Sequence, residues 1–115
     1  MIEVVVTDEW VAWWDSLTED EQVAVGRPIY LLEVHGVALG DPYSSSIKGS
    51  SFALRELRTK YQGRPFRVFY AFDPKRQAVL LIGGDKTGRD RFYDEMVPVA
   101  ETIWREYLRE QQGVD

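Results

Sequence analysis

The chain has 115 residues, 44% of them hydrophobic, with no cysteine, one histidine and a formal charge of −5. That length and apolar content support one well-buried core and fit one domain spanning 1–115. The missing cysteines exclude a disulfide scaffold, a thiol nucleophile and any Cys-built metal site, and a lone His35 gives no support to a His-rich metal site or a Ser-His-Asp triad.

Aromatic residues make up 13% of the chain, which excludes disorder by composition. No apolar run approaches the roughly 18 residues of a membrane span, and the acidic Met-Ile-Glu-Val opening is unlike a signal peptide. A soluble cytoplasmic protein is expected.

Ile2–Val6 is short and β-branched and predicts a strand. Trp10, Trp13, Trp14 and Leu17 recur at helical spacing, placing the tryptophans on the core-facing stripe of a helix over 7–17. Thr18 and Glu21 fit a capping box that opens a second helix, from about Glu19 to His35, with Gly36 as its stop. Pro28 lacks the amide donor that a helix interior needs, so a kink or break is expected there. His35 reads as a helix-end residue. Val37–Ser51 is the long irregular stretch, and it carries Lys48 beside Gly49.

Phe52–Thr59, Arg64–Asp73 and Ala78–Gly84 read as three strands. Leu54, Glu56 and Arg58 share one face of the first, and Arg67, Phe69, Ala71 and Asp73 share one face of the second. The third is apolar almost throughout and so is expected to be central. The short links at Lys60–Gly63 and Asp73-Pro74-Lys75-Arg76 imply an antiparallel meander. Arg89–Val97 is expected as a short helix. A closing helix then has Pro98 in its first turn and Ala100, Ile103, Trp104, Tyr107 and Leu108 on its buried stripe, and Gln111–Asp115 is expected to fray. The order is β-α-α-β-β-β-α, an α+β domain with its helices packed on one sheet face.

Charge is unevenly spread. From Lys48 to Arg91 there are eleven Lys and Arg against four acids, whereas the rest of the chain has three against fifteen. Such a split focuses a positive field on one surface, or merely balances acidic helices with basic strands. The central strand ends in Gly83-Gly84-Asp85-Lys86-Thr87-Gly88. Adjacent glycines allow backbone to approach a ligand, and Lys86 would stand at the mouth of the sheet. The run lacks the glycine spacing of a phosphate loop, and the carboxylates are too scattered for a glycosidase pair. Phosphate chemistry by cations remains. Arg and Lys bind a phosphate and offset its developing charge, while a tyrosine or carboxylate moves the proton. Each candidate also has a plain structural reading. Glu56 and Arg58 fit an ordinary ion pair, Arg67 and Lys86 a surface role, Lys75 and Arg76 a solvated turn, and Tyr61 and Tyr70 packing.

Leu54-Arg55-Glu56-Leu57-Arg58, Arg67-Val68-Phe69-Tyr70, Val79-Leu80-Leu81-Ile82-Gly83-Gly84-Asp85-Lys86-Thr87-Gly88 and Phe92-Tyr93, in that order and spacing, resemble the RelE/ParE superfamily of toxins. Within it, the HigB-like, phage-derived branch is most similar, and the resemblance spans nearly the whole chain. It implies a small twisted, mainly antiparallel sheet with helices on one side and a basic concave face on the other. It also implies a toxin of a type II toxin–antitoxin pair: a ribosome-dependent mRNA endoribonuclease that cuts by attack of the ribose 2′-OH on the adjacent phosphate and arrests translation and growth.

Carried over, Arg67 matches the family's middle-strand arginine, Lys86 the cation after the last strand, and Tyr93 a tyrosine at the site. Arg58 matches the end of the Glu-Leu-Arg motif, and Glu56 joins Tyr93 as a candidate for proton transfer. Lys48, Lys60, Arg64 and Arg89 would be supporting contacts to RNA or ribosome. The implied partners are mRNA on the ribosome and a cognate antitoxin, a helix-turn-helix protein encoded in the same operon. No metal, cofactor or membrane is implied. The acidic net charge and the lack of His in the basic block depart from the family pattern, and the general base is not identified. Two other readings stand beside the nuclease: a ParE-like protein that poisons DNA gyrase by binding, and a non-catalytic antitoxin-binding module.

Overall fold

Residues 1–113 are described by the computed structural model. The elements are β1 (Val4–Val6), α1 (Asp8–Asp15), α2 (Glu19–His35), a 3-10 turn (Gly36–Ala38), β2 (Ser44–Ser46), β3 (Arg55–Tyr61), β4 (Arg64–Phe72), β5 (Ala78–Asp85) and α3 (Phe92–Gly113). They form a five-stranded sheet in the order β1-β5-β4-β3-β2, in which β1 runs parallel to β5 and every other pair is antiparallel. The α+β class and the central β3–β4–β5 meander are as expected from the sequence. Among the described residues no helix is long and apolar enough to cross a membrane.

Local chemistry explains where the helices start. The Thr7 hydroxyl accepts the Trp10 amide at 3.1 Å and donates to the Leu81 carbonyl at 2.7 Å, so one side chain caps α1 and ties it to β5. Thr18 and Glu21 make the expected capping box, at 3.2 and 2.8 Å. The Thr18 amide, with Arg64 behind it, holds the Glu21 carboxyl below the usual carboxylate range. α2 runs through Pro28 without the break that was one of the two outcomes expected there. The reason lies in β3. A proline at 28 cannot donate to the carbonyl of Ala24, four residues back. The Thr59 hydroxyl donates to that carbonyl instead, at 3.2 Å.

The sheet is covered on both faces, which corrects the one-face expectation. Trp10, Val25 and Leu32 of α1 and α2 pack with Leu57, Val68, Tyr70 and Leu80 on one side. Ala100, Ile103 and Trp104 of α3 pack with Leu54, Phe69, Ala71 and Val79 on the other. The cause is visible in β4, where every residue from Phe66 to Ala71 is buried: a strand that is apolar on both faces needs two layers over it. A bulge at Phe69/Tyr70 shifts the register, so that Phe69 faces Ile82 and Tyr70 faces Leu80. Leu81 and Ile82 therefore both turn toward the α3 layer.

Three further expectations change. The stretch read as irregular contains β2, paired with β3 through Ser44–Leu57 and Ser45–Glu56. The two C-terminal helices are one, α3, with Pro98 in its interior. The end expected to fray is helical through Gly113, and 114–115 lie outside the described residues. The twin glycines admit rings, not a ligand. A Cβ on Gly83 would stand 2.3 Å from the Trp13 ring, and one on Gly84 would stand 2.9 Å from Phe92.

Two measurements test this packing. Thr59→Val is expected to destabilise the fold by about 1–3 kcal/mol, because the Ala24 carbonyl is left buried and unpaired. In a Pro28→Ala background the restored amide takes that carbonyl, so urea unfolding should show a much smaller loss; equal losses in both backgrounds would refute the link. The second concerns Tyr107, whose hydroxyl donates to buried Asp73 at 2.8 Å. Burial and that bond push its phenol from 10.0 up to about 12. The folded state therefore holds this proton more tightly. The stabilisation is complete below pH 10 and fades as pH climbs from about 10 to about 12. Absorbance of phenolate in wild type against Tyr107→Phe should show one tyrosine ionising late.

Candidate functional site

β3, β4 and the first turn of α3 bring three polar side chains together. Arg58 lies directly across from Arg67, and Glu56 lies across from Phe69, so the strand register sets Glu56 and Arg67 on the α3-side face. Tyr93 reaches them from α3. Its ring meets Phe69 and Phe92 edge-on at 6.2 and 5.3 Å, and its orientation follows from that packing. Gly84, opposite Arg67 on β5, leaves the space that Phe92 occupies.

The Tyr93 hydroxyl donates to Glu56 Oε1 at 2.7 Å and accepts from Arg67 Nε at 3.3 Å. Arg67 Nε lies 3.6 Å from the same carboxylate oxygen, and its Nη1 donates to the Phe66 carbonyl at 3.1 Å. Ser45 of β2 donates to the other oxygen, Oε2, at 3.1 Å. Both Glu56 and Arg67 are 6% exposed. Burial, then the bond to Glu56, raises the Tyr93 phenol above its ordinary value, and Arg67 partly opposes this. At neutral pH the tyrosine is therefore protonated, poised to pass a proton along a path that ends on a carboxylate.

Lys86 stands at the rim, half-buried, with its Nζ 5.8 Å from the centre of the Tyr93 ring. Its amide donates to the Pro65 carbonyl at 2.8 Å, which continues the β4–β5 ladder past the end of the strand. Arg58 and Lys60 follow Glu56 along the same face of β3 and are both exposed. Neither has an acidic partner among the described residues. Of the expected catalytic set, Glu56, Arg67 and Tyr93 are in contact and Lys86 stands beside Tyr93. Arg58 is placed next to Arg67 by strand pairing and also lines a cleft with Arg27, Pro28 and Tyr43.

The supporting set scatters. Arg64 lies on the opposite face, over the Phe66 ring at 5.1 Å, paired with Glu21 and with Asp85 at 3.2 Å. Arg89 pairs with Glu95 and lies over Phe92 at 5.1 Å. Lys48 sits in the loop that is fastened to α3 through Ser50 and Glu101 at 2.7 Å. Ser45 was missed by the sequence reading. A run of three serines carries no strand signal, and the position matters only because β2 pairs with β3. Among the described residues no group of three His, Cys, Asp or Glu could hold a metal ion.

The mixed five-stranded sheet and its three helices match the fold of solved RelE toxins. A mutant of the E. coli toxin RelE in the free state superimposes with a TM-score of 0.58 at 10% identity, covering 84% of this chain and 95% of that one. RelE in the archaeal RelE–RelB complex from Pyrococcus horikoshii OT3 matches with a TM-score of 0.54 at 19% identity, covering 76% and 97%. Both are likenesses of fold. In sequence, the model of the family "Phage derived protein Gp49-like (DUF891)" matches residues 12–105. "Putative toxin HigB3" of Mycobacterium tuberculosis (strain ATCC 25618 / H37Rv) is 37% identical over 112 residues, 96% of each chain. "Putative toxin HigB2" of the same strain is 39% identical over 100 residues, 84% of this chain and 50% of that protein. The chain belongs to the phage-derived Gp49-like family and is a relative of the HigB3 and HigB2 proteins.

The buried charges make a stability prediction. Arg67→Met strands the Glu56 carboxylate and is expected to lower the unfolding free energy by about 3–5 kcal/mol. Adding Glu56→Leu should recover most of that loss. Chemical denaturation of the two single variants and the double variant measures the coupling, and additive losses would mean that the two charges do not compensate each other.

Proposed function

We propose that the chain is the toxin of a type II toxin–antitoxin pair and that it acts as a ribosome-dependent mRNA endoribonuclease. The observation that carries this reading is the Glu56–Tyr93–Arg67 cluster with Lys86 beside Tyr93 and Arg58 paired across from Arg67 on β3. It sets protonatable groups beside cations, which suits transfer at a phosphodiester. The names of the two mycobacterial relatives support the toxin class. The RelB-bound archaeal neighbour supports an antitoxin as protein partner, and we assign the helix-turn-helix type to it from the resemblance.

In this mechanism Lys86 and Arg58 hold the scissile phosphate. Arg67 lies beneath it and keeps Tyr93 and Glu56 in register, its charge uncompensated only once Glu56 has taken up a proton. The 2′-OH gives its proton to the Tyr93 oxygen as the Tyr93 proton passes to Glu56 Oε1. The 2′-oxygen attacks phosphorus, the bond to the 5′-oxygen breaks, and the leaving oxygen takes a proton back from the relay. Products are a cyclic phosphate and a 5′-hydroxyl. Lys60 and Lys48 extend the contact along RNA or ribosome.

Free RNA is expected to be a poor substrate. Positioning alone is worth roughly 7–11 kcal/mol, and a ribosome that aligns the 2′-OH with phosphorus would supply it. The decisive experiment induces wild type, Lys86→Ala, Arg67→Ala and Tyr93→Phe in cells without an antitoxin and maps new RNA 5′ ends. New ends inside translated frames are expected with wild type. They should fall by about 100-fold or more in Lys86→Ala, on the scale of removing one transition-state donor. Growth arrest with intact mRNA would replace the nuclease by a gyrase-binding toxin, and harmless expression would favour the antitoxin-binding module.

A further inference from the structure

Asp90, two residues before α3 begins, is an acid whose carboxylate has no side-chain partner among the described residues. It is one of four acids in the basic stretch between Lys48 and Arg91. Each of the other three has a partner. Glu56 pairs with Arg67, Asp85 with Arg64, and Asp73 accepts from Tyr107. Among the described residues the Asp90 carboxylate has no ion pair and no hydrogen bond, and the residue is exposed. A free carboxylate beside the proposed phosphate site repels RNA backbone, but its two oxygens can accept from the donors of a base edge.

It lines a cleft of about 560 Å³ that also includes Pro65, Lys86, Thr87 and Tyr93. Two of these, Lys86 and Tyr93, belong to the polar cluster, so cleft and cluster are continuous. The pyrrolidine ring of Pro65 and the phenol ring of Tyr93 give it flat, largely apolar surface, which suits an unstacked base. The loop forming it is held in place before any ligand arrives. The Lys86 amide donates to Pro65, the Arg89 amide to the Lys86 carbonyl at 3.1 Å, and the Thr87 amide and hydroxyl to Asp85 at 2.9 and 2.5 Å. Two other polar side chains of the cleft are engaged, while Lys86 has no acidic partner among the described residues and serves the phosphate. The Thr87 hydroxyl is bound to Asp85 and the Arg89 guanidinium to Glu95. Asp90 is the acceptor left open.

We propose that this cleft is a nucleobase subsite beside the scissile phosphate, and that Asp90 makes it select guanine. A carboxylate has two acceptor oxygens and no donor. Guanine presents two adjacent N–H donors on its Watson–Crick edge. Adenine and cytosine present an amino group beside an acceptor, and uracil presents one imino group between two carbonyls. Guanine alone can satisfy both oxygens of Asp90 at once, with its ring plane against Pro65 and Tyr93.

This inference rests on the nuclease reading and names the specificity of that site. The test is cleavage by the full chain, wild type, Asp90→Asn and Asp90→Ala, in a purified translation system programmed with a defined mRNA, followed by 5′-end mapping. Wild-type cuts are expected to concentrate at one fixed position relative to guanine. Both variants should flatten that preference by about tenfold, the scale of one paired base-edge contact, while cuts beside adenine and cytosine persist. Wild-type cutting with no guanine bias, or a bias that survives both substitutions, would overturn the subsite and leave the nuclease standing. No cutting by wild type would overturn both.

Discussion

A guanidinium in the central part of a sheet covered on both faces is the constraint from which the rest follows. Arg67 sits in β4 beside Phe66, Val68 and Phe69, where the chain is otherwise apolar and buried. An uncompensated charge there would cost several kcal/mol, so its surroundings must supply partners with good geometry. β3 brings Glu56, α3 brings Tyr93, and β4 itself brings the Phe66 carbonyl. β2 is drawn in one step further out, because the second oxygen of Glu56 also needs a donor and finds Ser45. Four segments are thereby positioned around one side chain.

Packing delivers those segments. Gly84 lets Phe92 cross the strand, and Phe92 in turn stacks on Phe69 at 5.9 Å, which sets the first turn of α3 over the cluster. On the opposite face Gly83 does the same for Trp13. The glycine pair thus acts on both sides of the sheet, seating one aromatic ring from each helical layer. The bulge beside it turns two successive apolar residues, Leu81 and Ile82, toward α3 and deepens the layer on which that helix rests.

Much of this was legible in the sequence, because period and capping are local. The tryptophan stripe, the Thr18–Glu21 box and the meander of β3, β4 and β5 all follow from residues within a few positions of each other. The face-sharing of Glu56 with Arg58, and of Arg67 with Phe69, follows from the two-residue strand period, so these neighbours could be named before the geometry was known. What escaped depends on distant partners. Pro28 reads as a breaker until Thr59 is seen to replace its missing bond. Arg64 reads as a free cation until Glu21 and Asp85 are seen around it. The serines of β2 have no intrinsic strand preference and become a strand because β3 offers them an edge. The second helical layer was implicit in the unbroken burial of β4 and β5, but the short polar-looking β3 beside them concealed it.

The parallel pairing of β1 with β5 bears on how the chain reaches this state. Val5 meets Val79, and the Thr7 hydroxyl reaches Leu81, across 74 residues of sequence. β3, β4 and β5 are joined by short turns and can zip together as neighbours. Pairing β1 closes a far longer loop than any turn of the meander, so it carries the larger loop-closure entropy. The three groups of the polar cluster lie in β3, β4 and α3, outside that long-range edge, and their contacts do not depend on the β1–β5 pairing for a partner.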